Sequence, residues 1–136
     1  MRKTVDEVAE LFGAEPGHGA HFGEEVYPGY PGLVVADARV RTMNWGFPLV
    51  LTGRGGRKLK PKAVTNARED KLHTPFWRDS FARRRCLIPV SQWAEAEGDP
   101  GRMTRTWYGR PDEDPFAVAG IWRHTPEWGD AYAMVM

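Results

Sequence analysis

The sequence predicts an α+β fold in which a mainly antiparallel sheet curls into an open barrel, with a few short helices. Three observations support this prediction. Strand-like segments outnumber helical ones, and most connections between them are of hairpin length or somewhat more. Neither an internal repeat nor a linker divides the 136 residues, and hydrophobic residues make up 41% of them, which is typical of a globular chain. We therefore expect residues 1–136 to form a single domain.

The clearest predicted helix begins near the N terminus. Thr4 and Glu7 have the spacing of a capping box, in which each side chain bonds the backbone of the other residue. Apolar residues then recur at helical spacing, and Gly13 suits the position after the helix. Between residues 15 and 32, glycine and proline recur too often for regular structure. The sequence thus predicts one short helix followed by a long loop.

Strands are predicted over most of the remaining chain. The segments 33–36 and 39–45 are strand-like and are separated by a turn at residues 37–38. Thr74 and Pro75 have the residue types of a helix cap and a first helical position, so a second helix is expected to begin there. The other strand-like segments are 65–67, 86–90, 92–96, 104–108, 116–122 and 131–136.

The net charge of +1 conceals a strong segregation of charge along the chain. Residues 39–85 carry thirteen basic and three acidic side chains, whereas the segments before and after them are both acidic. Because clustered Lys and Arg side chains make the contacts to phosphate, this middle third favours binding to nucleic acid. The Gly-rich basic stretch 54–62 is explained equally well as a solvated loop.

The content of cysteine and histidine bears on compartment and cofactors. The one cysteine, Cys86, cannot form an internal disulfide, and no apolar run is long enough to cross a bilayer, so we expect a cytoplasmic protein. Cys86 lies in an apolar strand and is expected to be a buried, inert thiol. His18, His21, His73 and His124 lack the spacing of metal ligands, so neither a metal nor another cofactor is expected.

Four short segments combine the residues suited to chemistry: residues 45–46, 65–69, 83–95 and 119–122. The second contains a carboxamide, Asn66, which can donate and accept hydrogen bonds at once. Such a group can hold a sugar hydroxyl or the oxyanion of an attacked aldehyde. The alternative is a turn asparagine that bonds its own backbone.

The third segment ends in a carboxylate, Glu95. A carboxylate among aromatic side chains is suited to proton transfer, and Trp93 is a near neighbour in sequence. The alternative is an exposed strand glutamate close to Glu97. The sequence alone favours this alternative.

Several arginines are candidates for phosphate contact, because the guanidinium fork matches phosphate oxygens. Arg68 and Arg85 are the strongest candidates. Arg78, Arg83 and Arg84 are weaker ones, since some arginines will pair instead with carboxylates such as Asp79.

An aromatic residue before a glycine turn, Trp45 before Gly46, is suited to stacking on a base or wedging beside one. A core tryptophan explains Trp45 equally well. With Arg68 and Arg85, these two residues form the predicted DNA-binding set.

In order and spacing, the four segments resemble the SRAP family (SOS response-associated peptidase), whose members couple covalently to abasic sites in single-stranded DNA. The resemblance covers nearly the whole chain and implies the family's fold and a role in the DNA damage response. It implies that Asn66 lies at the active site, that Arg68 contacts a DNA phosphate and that Glu95 acts as general acid and base. The implied partner is single-stranded DNA with abasic sites, bound by a protein that is expected to be a monomer and to bind no membrane.

The chain departs from the family pattern in three places. The family's nucleophile is a cysteine directly after the initiator methionine, where this chain has Arg2. Its catalytic histidine would lie beyond Met136, and its Phe-Tyr-Glu-Trp segment reads Trp-Ala-Glu-Ala at residues 93–96. The resemblance therefore implies a chain truncated at both ends, with Met1 an internal methionine. Without the cysteine, the alternative function is that of a non-catalytic module that binds single-stranded DNA.

Overall fold

A computed structural model describes residues 4–17, 25–110 and 115–136. The α-helices in these residues are α1 (Val5–Leu11) and α2 (Arg78–Arg83), and the 3₁₀ turns are Arg54–Gly56 and Glu69–Lys71. The strands in the same residues are β1 (Glu15–Pro16), β2 (Pro31–Ala36), β3 (Arg39–Trp45), β4 (Phe47–Leu49), β5 (Lys62–Val64), β6 (Asn66–Ala67), β7 (Arg85–Val90), β8 (Gln92–Glu97), β9 (Thr104–Gly109), β10 (Phe116–Thr125) and β11 (Gly129–Val135).

Five strands close into a barrel, in the order β3, β2, β7, β10 and β11, with β11 pairing back onto β3. The first four pairings are antiparallel, whereas the closing pair of β11 and β3 is parallel. Two short strands extend the sheet in parallel, β1 beside β3 and β6 beside β11. The predicted α+β fold with a curled sheet is confirmed. The barrel is mainly antiparallel, as predicted, but it is closed rather than open, because β11 pairs with β3, in parallel, as well as with β10.

Alternate side chains of the barrel strands fill its interior, as the two-residue period of a strand requires. Val34, Met43, Ile88 and Tyr132 belong to this buried cluster, together with Cys86. Burial raises the pKa of the Cys86 thiol from 9.0 to about 12, although the nearby Arg41 acts in the opposite direction. The prediction that this thiol is buried is confirmed, and its low reactivity stays a prediction.

One outer face of the barrel is covered by α1. Val8 on the helix packs against Leu33, Val35 and Val40 of β2 and β3. The capping box is present: the backbone N–H of Glu7 donates to the Thr4 hydroxyl (3.2 Å), and the N–H of Thr4 donates to the Glu7 carboxylate (3.4 Å). The predicted first helix is therefore confirmed, including its start.

The opposite outer face packs against β4 and the residues just before α2. Phe47 and Trp77, with ring centroids 4.9 Å apart, contact the outward-facing side of β10 and β11. The predicted start of the second helix at Pro75 is wrong, since α2 begins at Arg78. The Thr74 hydroxyl donates to the carbonyl of Lys71 (2.6 Å), so it closes a preceding turn instead of capping the helix.

The hairpin of β8 and β9 lies outside the barrel sheet and forms a two-stranded sheet of its own. Every residue of β8 is exposed. An edge-to-face contact between Trp93 and Phe116, with centroids 6.0 Å apart, connects the hairpin to β10. On the other strand, the Arg105 guanidinium lies 5.6 Å from the ring centroid of Tyr27. No helix in the described residues is long and apolar enough to span a bilayer.

Candidate nucleic-acid interface

Asn66 is held by a well-paired backbone. Its strand β6 runs parallel to β11, and the amide N–H of Met134 donates to the carbonyl of Thr65 (2.9 Å). The next residue, Ala67, is fully buried beneath the strand, so Asn66 faces outward. Among the described residues, the Asn66 carboxamide has no hydrogen-bond partner. The reading of Asn66 as a turn residue that bonds its own backbone therefore does not fit, because Asn66 lies in a strand with its carboxamide open.

Beside Asn66 lies a shallow pocket of about 230 Å³, which we call the Asn66 pocket. Its surface is mainly apolar and its polar groups lie at the rim. The floor is formed by Leu49, Val64, Phe76 and Trp77, and the rim by Asn66, Arg68 and Lys71.

Arg68 forms an ion pair with Asp70, with 2.9 Å between Nη2 and Oδ2. The two side chains are 72% and 61% exposed, so water screens the pair and it contributes at most about 1 kcal/mol. A phosphate could replace Asp70 at little cost. Arg68 also borders a second concavity with Glu69, Asp70 and Met136, whose two carboxylates make it a poor site for an anion.

Trp45 lies at the end of β3 and is partly buried against the barrel cluster that contains Tyr132. Its indole N–H is buried without a hydrogen-bond partner among the described residues. The ring thus has the packing of a core tryptophan, and its stacking on DNA stays a prediction.

Gly46 is required by the backbone. Its φ is +119°, its N–H donates to the carbonyl of Tyr132 (2.8 Å), and a Cβ at this position would lie 2.7 Å from the Cβ of Ala63. Only glycine therefore lets β4 leave the barrel and pass this close to β5. The backbone geometry requires glycine at this position whether or not the residue contacts DNA. The DNA contact predicted for Gly46 therefore stays a prediction.

The arginine run at residues 83–85 has divided roles. Arg83 and Arg84 both pair with Asp79, and the Arg84 Nε–H also donates to the carbonyl of Trp122 (2.9 Å). The hydrogen bond from Arg84 and the neighbouring guanidinium groups lower the pKa of Asp79. These two arginines support the fold, as expected for some members of the run.

Arg85 is exposed at the start of β7. Its Nε–H donates to the carbonyl of Phe81 (2.7 Å), and its guanidinium lies 4.6 Å from the centroid of the Phe81 ring. No described carboxylate pairs with Arg85, which leaves its charge open to an anion.

The basic segment 50–62, which we call the cationic hairpin, extends from the pairing of β4 with β5. Thr52 bridges Lys58, and the N–H of Leu59 donates to the carbonyl of Leu51 (2.9 Å), so the predicted loop is a hairpin. Its basic side chains are all exposed, and within the described part of the chain none of them pairs with a carboxylate. They are Arg54, Arg57, Lys58, Lys60 and Lys62.

Glu95 is exposed on β8, opposite Thr106 on β9. The indole N–H of Trp93 donates to its carboxylate (3.3 Å). On the same face, Glu97 accepts hydrogen bonds from Thr106 and Tyr108, and the bond to Glu97 raises the pKa of the Tyr108 hydroxyl. One aromatic neighbour is therefore present, but Glu95 lies in no enclosed pocket.

The structure brings Asn66 and Arg68 into one pocket. Glu95 is not among the residues that line this pocket, and neither is any other residue of the β8–β9 hairpin. A shared site for Asn66 and Glu95 therefore stays a prediction. His18, His21 and Arg2 lie outside the described residues.

Sequence reasoning missed Lys71 as a member of the pocket, because the turn that places it has no motif. It also missed a pairing at one mouth of the barrel, where Asp130 pairs with Arg41 (2.5 Å) and with Nδ1 of His124 (3.0 Å). The described residues contain no group of three His, Cys, Asp or Glu side chains that could hold a metal ion.

Two crystal structures have a similar fold. A protein from Bordetella bronchiseptica superposes with a TM-score of 0.73 at 24% identity over 98% of this chain, and one from Bacteroides thetaiotaomicron with 0.69 at 18% identity over 99%. The chain spans 68% and 65% of the lengths of these two proteins. No curated protein sequence matches the chain. Residues 1–135 match the sequence model of the SOS response associated peptidase (SRAP) family. The chain therefore belongs to the SRAP family.

Proposed function

We propose that this chain binds single-stranded DNA that contains abasic sites, as part of the response to DNA damage. Membership of a family named for its association with the SOS response supports the biological setting. The excess of basic residues between positions 39 and 85 supports a polyanionic partner.

The observation that carries the proposal is the open carboxamide of Asn66. A polar side chain on a firmly paired strand, beside an apolar pocket and an arginine, is placed to bind a ligand that has both polar and charged groups. The ring-opened sugar of an abasic site has hydroxyl and aldehyde oxygens and lies between two phosphates. Asn66 would bond a sugar oxygen while Arg68 contacts a neighbouring phosphate.

The other predicted site residues take supporting roles in this proposal. Glu95 would transfer protons if bound DNA brings the β8–β9 hairpin toward Asn66. Arg85 would contact the DNA backbone, because its charge is unpaired among the described residues. Trp45 and Gly46 would form the edge against which a base stacks.

The covalent step belongs to family members with a cysteine directly after the initiator methionine. Their free α-amino group condenses with the sugar aldehyde and releases water, and the thiol then adds to the imine carbon to close a five-membered ring. Within residues 1–136 the one thiol, Cys86, is buried and has no α-amino group beside it. Our proposal for these residues is therefore DNA binding, and it assigns the covalent step to none of them.

The test compares binding to abasic and intact single strands by fluorescence anisotropy at rising salt concentration. We expect binding that weakens with salt and a preference for the abasic strand of about tenfold, in line with one or two hydrogen bonds to a charged or polar group. Asn66→Ala should remove this preference, whereas Gln92→Ala, which removes an exposed carboxamide outside the pocket, should keep it.

The alternative is a non-catalytic module that binds any single strand, which the unpaired charges of the cationic hairpin favour. It predicts equal affinity for abasic and intact strands and no effect of Asn66→Ala. Absence of salt-dependent binding would exclude both functions. A band that stays shifted on a denaturing gel would show covalent chemistry by a residue of this chain, in addition to binding.

A further inference from the structure

The floor of the Asn66 pocket is formed by side chains that belong to the hydrophobic core. Trp77 is only 6% exposed, and its ring centroid lies 4.5 Å from that of Phe76 and 4.9 Å from that of Phe47. The Arg123 guanidinium lies over the same aromatic cluster, 5.4 Å from the Phe76 centroid, and adds a positive charge near it. These rings belong to the core, so the pocket does not depend on rearrangement of a loop.

The size and lining of the pocket restrict its occupant. Drug-sized ligands occupy sites of about 300–1,000 Å³, so a pocket of about 230 Å³ suits a smaller, flat group. Leu49, Val64 and the edge of Phe76 provide apolar surface, which favours a group that can leave water over one whole face. A nucleobase has this shape and this apolar face.

The polar groups of the pocket lie on one side, at the rim. Arg68 is held only by its exposed pair with Asp70, and Lys71 is exposed without a carboxylate partner among the described residues. A single nucleotide presents the same pattern, with an apolar base on one side of the sugar and an anionic phosphate on the other. Asn66 stands at the same rim.

We propose that the Asn66 pocket receives one unpaired base of the DNA strand, the base next to the abasic sugar held at Asn66. Arg68 and Lys71 contact the phosphates on either side of that base. This proposal rests on the proposed binding of single-stranded DNA and adds to it a subsite for an intact nucleotide. Stacking of one base on an aromatic surface changes affinity by about 5- to 150-fold, which is enough to set the position of the strand.

The test is a scan with short single strands that carry one fixed tetrahydrofuran abasic analogue and a second one placed at each other position in turn. Removing the base that fills the pocket should weaken binding about tenfold, and removal at other positions should change affinity about twofold or less. Val64→Phe fills the pocket and should abolish this position dependence. Leu11→Phe, which adds the same ring at an exposed position of α1 outside the pocket, should preserve it.

The outcomes separate this proposal from the one on which it rests. If salt-dependent binding is present and the scan is flat, the subsite is wrong and DNA binding stands. If the same position still dominates the scan in Val64→Phe as it does in Leu11→Phe, the base lies outside the Asn66 pocket and the subsite is also wrong. If no strand binds, both proposals fail. Lys71→Gln gives an independent check, since loss of one phosphate contact should reduce the salt slope by about one unit.

Discussion

The two residues predicted to carry the chemistry have very different structural support. Asn66 lies on a strand that pairs with the barrel, above a fully buried Ala67 and beside the core rings of the Asn66 pocket. Glu95 lies on a hairpin with exposed strands, which touches the rest of the described chain through a few aromatic contacts. The fold thus fixes one half of the proposed site and leaves the other half on a separate, lightly held element.

The two elements also differ in how firmly the fold holds them. The strand that carries Asn66 cannot move without disturbing β11 and the barrel. The hairpin that carries Glu95 can move without loss of core packing, because its strands bury little. Four predictions examine this contrast between the barrel and the hairpin.

The largest effect concerns the thiol inside the barrel. With a pKa of about 12 instead of 9.0, Cys86 has about a thousandfold less thiolate than an exposed cysteine at about pH 8, so alkylation of the folded protein should be slower by that factor. Mass spectrometry with iodoacetamide, with and without denaturant, measures both rates. Equal rates would mean that the barrel opens readily and that the contrast with the hairpin is false.

The second prediction concerns Gly46, where the backbone leaves the barrel and β4 passes close to β5. Gly46→Ala places a Cβ 2.7 Å from that of Ala63 at a φ of +119°, and should lower the free energy of unfolding by about 3 kcal/mol. Gly55→Ala is the matched control: its φ is +72° and its added Cβ meets open space, so it should cost about 1 kcal/mol. Denaturant titration measures both values, and similar losses in the two variants would contradict the close approach.

The third prediction concerns the hairpin. Trp93→Ala removes the stacking on Tyr108 and the edge contact with Phe116, and should change the free energy of global unfolding by about 1 kcal/mol or less. Amide hydrogen exchange should nevertheless become faster in β8 and β9 and stay unchanged in the barrel strands. Trp107→Ala, on the other face of the hairpin, is the control. Loss of protection in β10 and β11 would show that the hairpin and the barrel unfold together.

The smallest effect concerns Asp79, which holds Arg83 and Arg84 next to β7. Its pKa is lowered in the folded state, so its contribution to stability is present above the carboxyl's ordinary value of 3.8 and is lost as pH falls through the lower, folded value. Asp79→Asn should therefore reduce the loss of stability on acidification. Thermal unfolding at a series of acidic pH values measures this loss of stability. If stability depends on pH in the same way in both proteins, the ion pairs of Asp79 with Arg83 and Arg84 are too exposed to stabilise the fold.

Local signals predicted much of the fold. The Thr4 and Glu7 capping box predicted α1 and its start, and the turn at residues 37–38 joins two strands as expected, with both residues at positive φ. Pro75 gave a misleading helix start, because the turn closed by Thr74 and Lys71 competes with the helix for the same residues. Barrel closure was not predictable, since the pairing of β11 with β3 joins segments far apart in the chain.

The candidate site was predictable only in part. The segment around Asn66 and Arg68 drew attention to the right strand, but Lys71 and the apolar floor become neighbours only through tertiary packing. Conversely, the sequence could not distinguish Trp45 as a stacking platform from Trp45 as a core residue, because both uses require an aromatic ring before a turn. Burial of its indole is set by the barrel interior and has no local signature.

The parallel contact that closes the barrel has a consequence for how the protein is made. Ala131 of β11 pairs with Asn44 of β3. During synthesis, β3 is therefore complete almost ninety residues before β11 is available to pair with it. Local hairpins such as β2–β3 form quickly, whereas a union of such distant segments is slow because of the entropy of ordering the intervening loop. During that time, a nascent chain on the ribosome would keep the edge of β3 unpaired at Asn44 and Trp45, beyond the two residues that pair with β1, which exposes this edge to misassociation and to chaperones.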